Sequence, residues 1–220
     1  MRVFVVNAYE DRKEKYDEEK YEIFPAIHWT DVKDEDVKRY HFRHNAKMEY
    51  RKKVVACSMS HQALLGKIIN EDLKDVFILE DDAIIEKWER LKELEGCKEF
   101  CYIGGQINAP LMKDFKKFED IKDSVRENFC KGINVIDPKE FRLAHTCGYY
   151  IPNKRVAQDI LSNIPHGSKE RAIDSEYIAL QKKGKITKFV YPAIVTLYLP
   201  DACKGFTYST YKLLDDQYLY

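Results

Sequence analysis

Short, wholly apolar runs alternate along the chain with longer stretches in which apolar residues recur every three or four positions. The first pattern predicts buried strands and the second amphipathic helices. Val3 to Val6 contains only Val and Phe and reads as a strand buried on both faces, followed by Asn7, Ala8 and a charged segment from Glu10 to Lys20. Between Arg51 and Glu71 the residues Val54, Cys57, His61, Leu64, Leu65 and Ile68 recur at helical spacing, with His61 the one polar member. Three cations, Arg51, Lys52 and Lys53, open this segment. Cations are unfavourable in a first turn, so either the helix begins after them or they face an anionic partner.

Val76 to Leu79 is a second strand, and it ends abruptly in Glu80, Asp81 and Asp82. Phe100 to Ile103 reads as a third, stopped by Gly104 and Gly105, and Gly148 to Ile151 as a fourth, stopped by Pro152. Asn153 then caps a helix bearing Val156, Ala157, Ile160 and Leu161, ended by the turn at Pro165 and Gly167. A further helix runs from Asp174 to Gly184, and Ile186 to Tyr191 is a late strand. Strands alternating with helices predict an α/β fold, its sheet covered on both faces. The polar stretch Lys113 to Asn128 fits either an inserted lid or a solvated helix.

Composition narrows the functional classes. The 220 residues are 45% hydrophobic and 34% charged with only 9 Gly and 7 Pro, which suits one folded domain spanning 1–220 and not a disordered or fibrous chain. Lys plus Arg (37) balances Asp plus Glu (37), so no bulk field attracts nucleic acid or an anionic membrane. The longest stretches free of charge, Val54 to Gly66 and Phe100 to Met112, span 13 residues each, short of the ~20 that cross a bilayer. With no secretion signal at the first strand, the expectation is a cytoplasmic chain or a piece of a longer one. The 6 cysteines form no CxxC pair and read as mostly buried free thiols; Cys97 and Cys101, four apart, lie where a strand begins.

In open α/β sheets ligands bind beyond the carboxyl ends of strands, and the carboxylates of Glu80, Asp81 and Asp82 stand at such an end. Adjacent carboxylates repel, and a hard divalent cation such as Mg²⁺ or Mn²⁺ relieves that repulsion; the competing reading is a solvated acidic turn. Alternation puts Glu80 and Asp82 on one side and Asp81 on the other. His61 is either a hydrogen-bonded core histidine or a site residue. His41 and His44 have metal-compatible spacing beside the surface cations Arg43 and Lys47. Asp174 is a helix cap or, near a cleft, a base. No GxxxxGK[ST], GxGxxG, GxSxG or HExxH sequence occurs, which removes the usual support for P-loop hydrolysis, dinucleotide redox chemistry, serine hydrolysis and zinc proteolysis.

Five segments in order resemble glycosyltransferase family 25, the lipooligosaccharide and procollagen hexosyltransferases. They are VFVVNAYEDR from Val3, ACSMSHQAL from Ala56, FILEDDA from Phe77, TCGYYIPNKRVAQDIL from Thr146 and AIDSEYI from Ala172. Ala8 and Tyr9 depart from the family's leucine-led loop, and Pro152 replaces its more usual serine.

The resemblance implies a single-domain type A glycosyltransferase fold, with a central mixed, mostly parallel sheet flanked by helices. It further implies a UDP-sugar donor, a saccharide acceptor, inversion at the anomeric carbon and a divalent cation, Mn²⁺ or Mg²⁺. On that basis Asp82, with Glu80, is assigned to the metal. Asn7, Ala8, Arg12, Ser60, His61, Glu80 and Asp81 are assigned to the donor, with Asp81 free to hold the ribose or sugar. Thr146, Gly148 and Tyr149 are assigned to the acceptor, Tyr149 being equally a candidate for the core. Asp174 is the expected base and Asp201 the second choice. The alternatives are a domain that binds saccharide or nucleotide sugar without turnover, and a sugar-nucleotide nucleotidyltransferase, against which the lack of a glycine-rich basic loop after the first strand counts.

Overall fold

The computed structural model describes residues 1–40, 42, 47–85, 87–108, 129–138, 142–165, 171–191 and 193–197. In chain order the elements are β1 (Arg2–Asn7), α1 (Glu10–Lys13), β2 (Glu22–Pro25), α2 (Asp34–Arg39), α3 (Met48–Asn70), β3 (Val76–Glu80), β4 (Ala83–Ile85) and β5 (Cys101–Asn108). There follow β6 (Gly132–Val135), β7 (Arg142–Ile151), α4 (Lys154–Asn163), α5 (Ile173–Lys182), β8 (Lys188–Tyr191) and β9 (Val195–Leu197). Among the described residues seven strands form one sheet in the order β2-β1-β3-β7-β5-β8-β6, and β4 pairs with β9 in a separate ribbon. β1 is parallel to β2 and β3, and β5 to β8, while β7 and β6 run antiparallel to their neighbours. Five strands therefore share one direction and two oppose it. This mixed α/β architecture is consistent with a type A glycosyltransferase.

The unbroken apolar runs follow from burial on both faces. Phe4, Val6 and Ile78 point into a core with Leu64, Leu65 and Ile68 of α3, Ala157 and Ile160 of α4, and Tyr177 and Leu180 of α5. Val3, Val5, Phe77 and Leu79 point the other way, onto Tyr16, Tyr21, Leu91, Leu94, Ile194 and Val195. The three long helices thus share one face. The opposite face is covered instead by the β4–β9 ribbon, the Tyr16–Tyr21 segment and a 3-10 turn at Trp88–Leu94.

Local chemistry sets the boundaries. Asn153 caps α4 through its side-chain oxygen, which accepts the Val156 N–H at 3.2 Å. α5 ends where Gly184 takes φ +70°, its N–H bonded to Gln181 O and that of Lys185 to Leu180 O, both at under 3 Å. The N-cap of α5 is Ala172, so Asp174 lies inside the first turn and is not the cap.

Of the two readings of the cations that open α3, the anionic partner holds for Lys52 and Lys53, and the end of β5 is corrected. α3 begins at Met48, before its cations; Lys52 pairs with Asp34 at 2.9 Å, Lys53 with Glu49 at 2.7 Å, and Arg51 covers the Phe42 ring, so the basic residues find partners on or beside the helix. Gly104 does not stop β5 but lies inside it, because β9 crosses there: a Cβ at Gly104 would stand 2.7 Å from Cys147 Sγ and 2.8 Å from Val195 Cβ. The cysteines are mostly buried free thiols, as expected: among the described residues Cys97, Cys101 and Cys147 are buried, and Cys57 and Cys130 are exposed. His41, His44, Gly167, Asp201 and the stretch Lys113 to Asn128 lie outside the described residues. Among the described residues no helix is long and apolar enough to cross a membrane.

Candidate functional site

The chain leaves β1 to pair β2 on one side and returns to place β3 on the other, so the strand order reverses at β1. A crevice opens at such a reversal, beyond the carboxyl ends of the two central strands. Here it is a cavity of about 190 Å³ whose walls include Ala8, Tyr9, Trp29, Cys57, Glu80 and Asp82.

The three carboxylates take different surroundings. Asp81 is buried and binds back to the β1 loop: its Oδ2 accepts the Ala8 N–H at 2.8 Å and its Oδ1 pairs with Arg12. Asp81 was expected to be free; both its oxygens are engaged within the chain, because the turn after β3 brings it against the turn after β1. Arg12 also lies over the Tyr9 ring, 4.8 Å from its centroid. Asp82 keeps a buried Oδ1 without a hydrogen-bond partner. Desolvation, then the Asp81 charge, raises the Asp82 carboxyl. Burial and the charges of Asp82 and Asp174 push Glu80 well above the usual carboxylate range. The turn itself is pinned from below by the Tyr16 hydroxyl, which donates to Ala83 O at 2.8 Å.

α3 supplies the facing wall. Ser60 is buried and its hydroxyl is committed to backbone, donating to Ala56 O at 2.7 Å and accepting the Ile27 N–H at 2.9 Å. His61 is 1% exposed, with Nδ1 2.7 Å from the Tyr149 hydroxyl and Nε2 3.6 Å from Glu80 Oε1. Burial lowers its pKa to about 4, so the ring is neutral. Nε2 has no hydrogen-bond partner. Cys57 precedes His61 by one turn, and its sulfur, a ring nitrogen of His61 and a Glu80 oxygen lie within 4.8 Å of one another. Desolvation in this cleft, then the charges of Glu80 and Asp174, push the Cys57 thiol well up.

Asp174 reaches the same neighbourhood through Ser58, whose hydroxyl accepts the Ile173 N–H at 2.9 Å and holds the start of α5 against α3. Its charge acts on Glu80, His61 and Cys57. Asn7 is buried, with Nδ2 donating to Tyr9 O at 3.0 Å and Oδ1 unpartnered. Tyr149 is fully buried behind His61, the core position of its two expected placements. Gly148 packs against Leu79 and Val195, each 3.0 Å from where a Cβ would stand, and Thr146 lies in β7.

The structure adds residues that periodicity did not single out. Tyr9, His28 and Trp29 line one wall as neighbouring rings, with centroids 6.4 Å and 5.8 Å apart, and Lys53 Nζ sits 5.4 Å from the Trp29 ring centre. The adjacent His28 and Trp29 after Pro25 were the available signal. Hard oxygen donors at Glu80 and Asp82, one of them buried and unpartnered, fit a divalent cation. The profile of glycosyltransferase family 25 (LPS biosynthesis protein) matches residues 6–174. The chain belongs to this family. The match runs from β1 through Asp174, takes in the three middle segments that carried the resemblance whole, and overlaps the first and the last. No curated protein matches the chain significantly. Membership in family 25 gives the broad activity: glycosyl transfer in lipopolysaccharide or related glycan synthesis, from a sugar donor to a glycan acceptor.

Proposed function

We propose that this family 25 glycosyltransferase moves a hexose from a UDP-sugar to a saccharide hydroxyl with inversion, at the crevice between β1 and β3. The observation that carries the proposal is the carboxylate cluster at the strand-order reversal, with the buried Asp82 Oδ1 left unpartnered. Asp82 and Glu80 would hold the divalent cation. When bound, such a cation offsets the negative charge that grows on the departing diphosphate.

The chain's own residues supply the rest. Tyr9 and Trp29 offer ring faces to the nucleobase or sugar, and Lys53 offers a cation to the diphosphate. Asp81, held by Arg12 and the Ala8 N–H, fixes the two loops against each other and so sets the width of the crevice. Asp174 accepts the proton of the acceptor hydroxyl as its oxygen bonds to the anomeric carbon, while the bond from that carbon to the diphosphate oxygen breaks on the opposite face. Tyr149 orients the His61 ring from behind.

Calorimetry and thermal melting with UDP-glucose and UDP-galactose, each with Mn²⁺ and with chelator, test the reading. A ligand that binds only the folded state raises the melting temperature, so one sugar nucleotide should do so in Mn²⁺ and not in chelator. Asp174→Asn should then lower kcat by about 100-fold while donor affinity stays within about twofold. Absence of a metal-dependent shift across a wider panel of sugar nucleotides would defeat the donor assignment, and unchanged turnover in Asp174→Asn would remove the base.

A further inference from the structure

We propose that Cys57, His61 and Glu80 form a binding site for a borderline divalent cation of the zinc type, different in donor chemistry from the oxygen pair of Glu80 and Asp82. Cys57 and His61 are four apart on α3 and therefore share one helix face, and the end of β3 brings Glu80 opposite them. The three ligand atoms already lie within 4.8 Å of one another. The His61 Nε2 to Glu80 Oε1 separation, 3.6 Å, is close to the ~3.3 Å that two metal bonds of about 2.0 Å subtend at a tetrahedral angle.

The second observation is His61 itself. Its ring is 1% exposed, yet Nε2 points into the cluster with no hydrogen-bond partner, an arrangement that wastes a buried polar atom unless something binds there. In the tautomer whose Nδ1–H donates to the Tyr149 oxygen, the Nε2 lone pair faces Cys57 and Glu80. Metal-bound histidines are held in this way by a partner on the other ring nitrogen.

Donor type decides the ion. A thiolate with an imidazole and a carboxylate favours Zn²⁺ over Mg²⁺ or Mn²⁺, which take oxygen. Three protein ligands leave a fourth position open to the cavity. On binding, the Cys57 thiol releases its proton to solvent and the sulfur bonds to the cation; nothing is oxidised or reduced. Glu80 cannot serve both sets at once. One consequence, which rests on the transfer reaction proposed above, is that Zn²⁺ inhibits transfer by drawing Glu80 away from Asp82.

The test uses the full chain and metal alone, so its outcome is independent of the donor and the transfer reaction. Titration with Co²⁺, which reports thiolate ligation by a charge-transfer band, should show one such site per chain that Zn²⁺ displaces. Cys57→Ser should abolish the band, a Cys97→Ser/Cys101→Ser double variant should keep it, and Tyr149→Phe should weaken affinity by about tenfold. On the wild-type chain, Zn²⁺ should protect Cys57 from alkylation while leaving the exposed Cys130 reactive, as read by peptide mass spectrometry. A band that survives Cys57→Ser, no band in excess Co²⁺, or alkylation of Cys57 unaltered by Zn²⁺ would each overturn the site.

Discussion

The two ends of β1 and β3 are built from the same apolar strands but treat polar groups in opposite ways. At the amino ends, Arg2 N–H donates to Asp75 O at 3.1 Å, its guanidinium pairs with Glu22, and the Tyr150 hydroxyl donates to Asp75 Oδ1 at 2.7 Å. At the carboxyl ends, Asn7 Oδ1, His61 Nε2 and Asp82 Oδ1 are buried without partners, beside a cluster of carboxylates. An orphaned buried polar atom costs about 1–3 kcal/mol, so several in one place call for an explanation, a bound group being one. One end thus pairs its polar groups and the other leaves several open toward the crevice, with Leu64, Leu65 and Ile68 of α3 packed beneath.

The contrast is broken most severely at Asp82. Asp82→Asn keeps the shape and removes the charge, and transfer should fall about 100-fold or more. The variant should be no less stable than wild type. Its folded-state carboxyl is raised, so wild type holds a proton that the unfolded chain has released, and this penalty on the wild-type fold grows as pH rises above about 3.8. Melting curves and a transfer assay read both effects; full turnover removes Asp82 from the metal site. Leu65→Ala, one turn beyond His61 and fully buried, should do the reverse. It should cost about 2–5 kcal/mol in urea unfolding while transfer at low temperature stays within about threefold.

Much of this division was legible in the residues. The Val3 to Val6 run has no polar member because both of its faces are covered, and Glu80 to Asp82 announce a strand's end by their mutual repulsion. What periodicity could not supply was the identity of neighbours across the fold. Gly104 reads as a terminator until β9 is seen crossing it, and the His61 stripe leaves core and site equally open because its partners, Tyr149 and Glu80, come from other strands. Asp81 looked available since its engagement depends on Arg12 and Ala8, some 70 residues earlier. The aromatic wall of Tyr9, His28 and Trp29 comes from two loops with no period of their own.

His61 sharpens the contrast in a smaller way, through pH. Its folded pKa lies near 4 against 6.5 in the open chain, so the unfolded state binds a proton that the folded state refuses. Stability from this group is complete above pH 6.5 and is lost as pH falls toward 4, with a slope of about 1.4 kcal/mol per pH unit. The raised carboxyls of Glu80 and Asp82 act in the opposite sense and flatten the observed curve. His61→Gln, measured in chelator by urea unfolding across that range, should lose the acid-side fall relative to wild type. Parallel curves for the two proteins would place His61 in a more hydrated setting than its burial indicates.

The smallest effect belongs to the amino ends. Glu22 and Arg2 form a bidentate pair, but their side chains are 42% and 35% exposed, so solvent screens most of the attraction. Glu22→Gln should therefore cost less than about 1 kcal/mol, and transfer should be unchanged. Arg2 holds the Glu22 carboxyl below its ordinary range, so the pair's contribution is present at neutral pH and disappears as pH falls through 4.5 and below. The wild-type and variant melting temperatures should converge there, and also at high salt at neutral pH. A loss in Glu22→Gln as large as that in Leu65→Ala would mean that the amino ends depend on charge, and that packing beneath the site is not what carries the sheet.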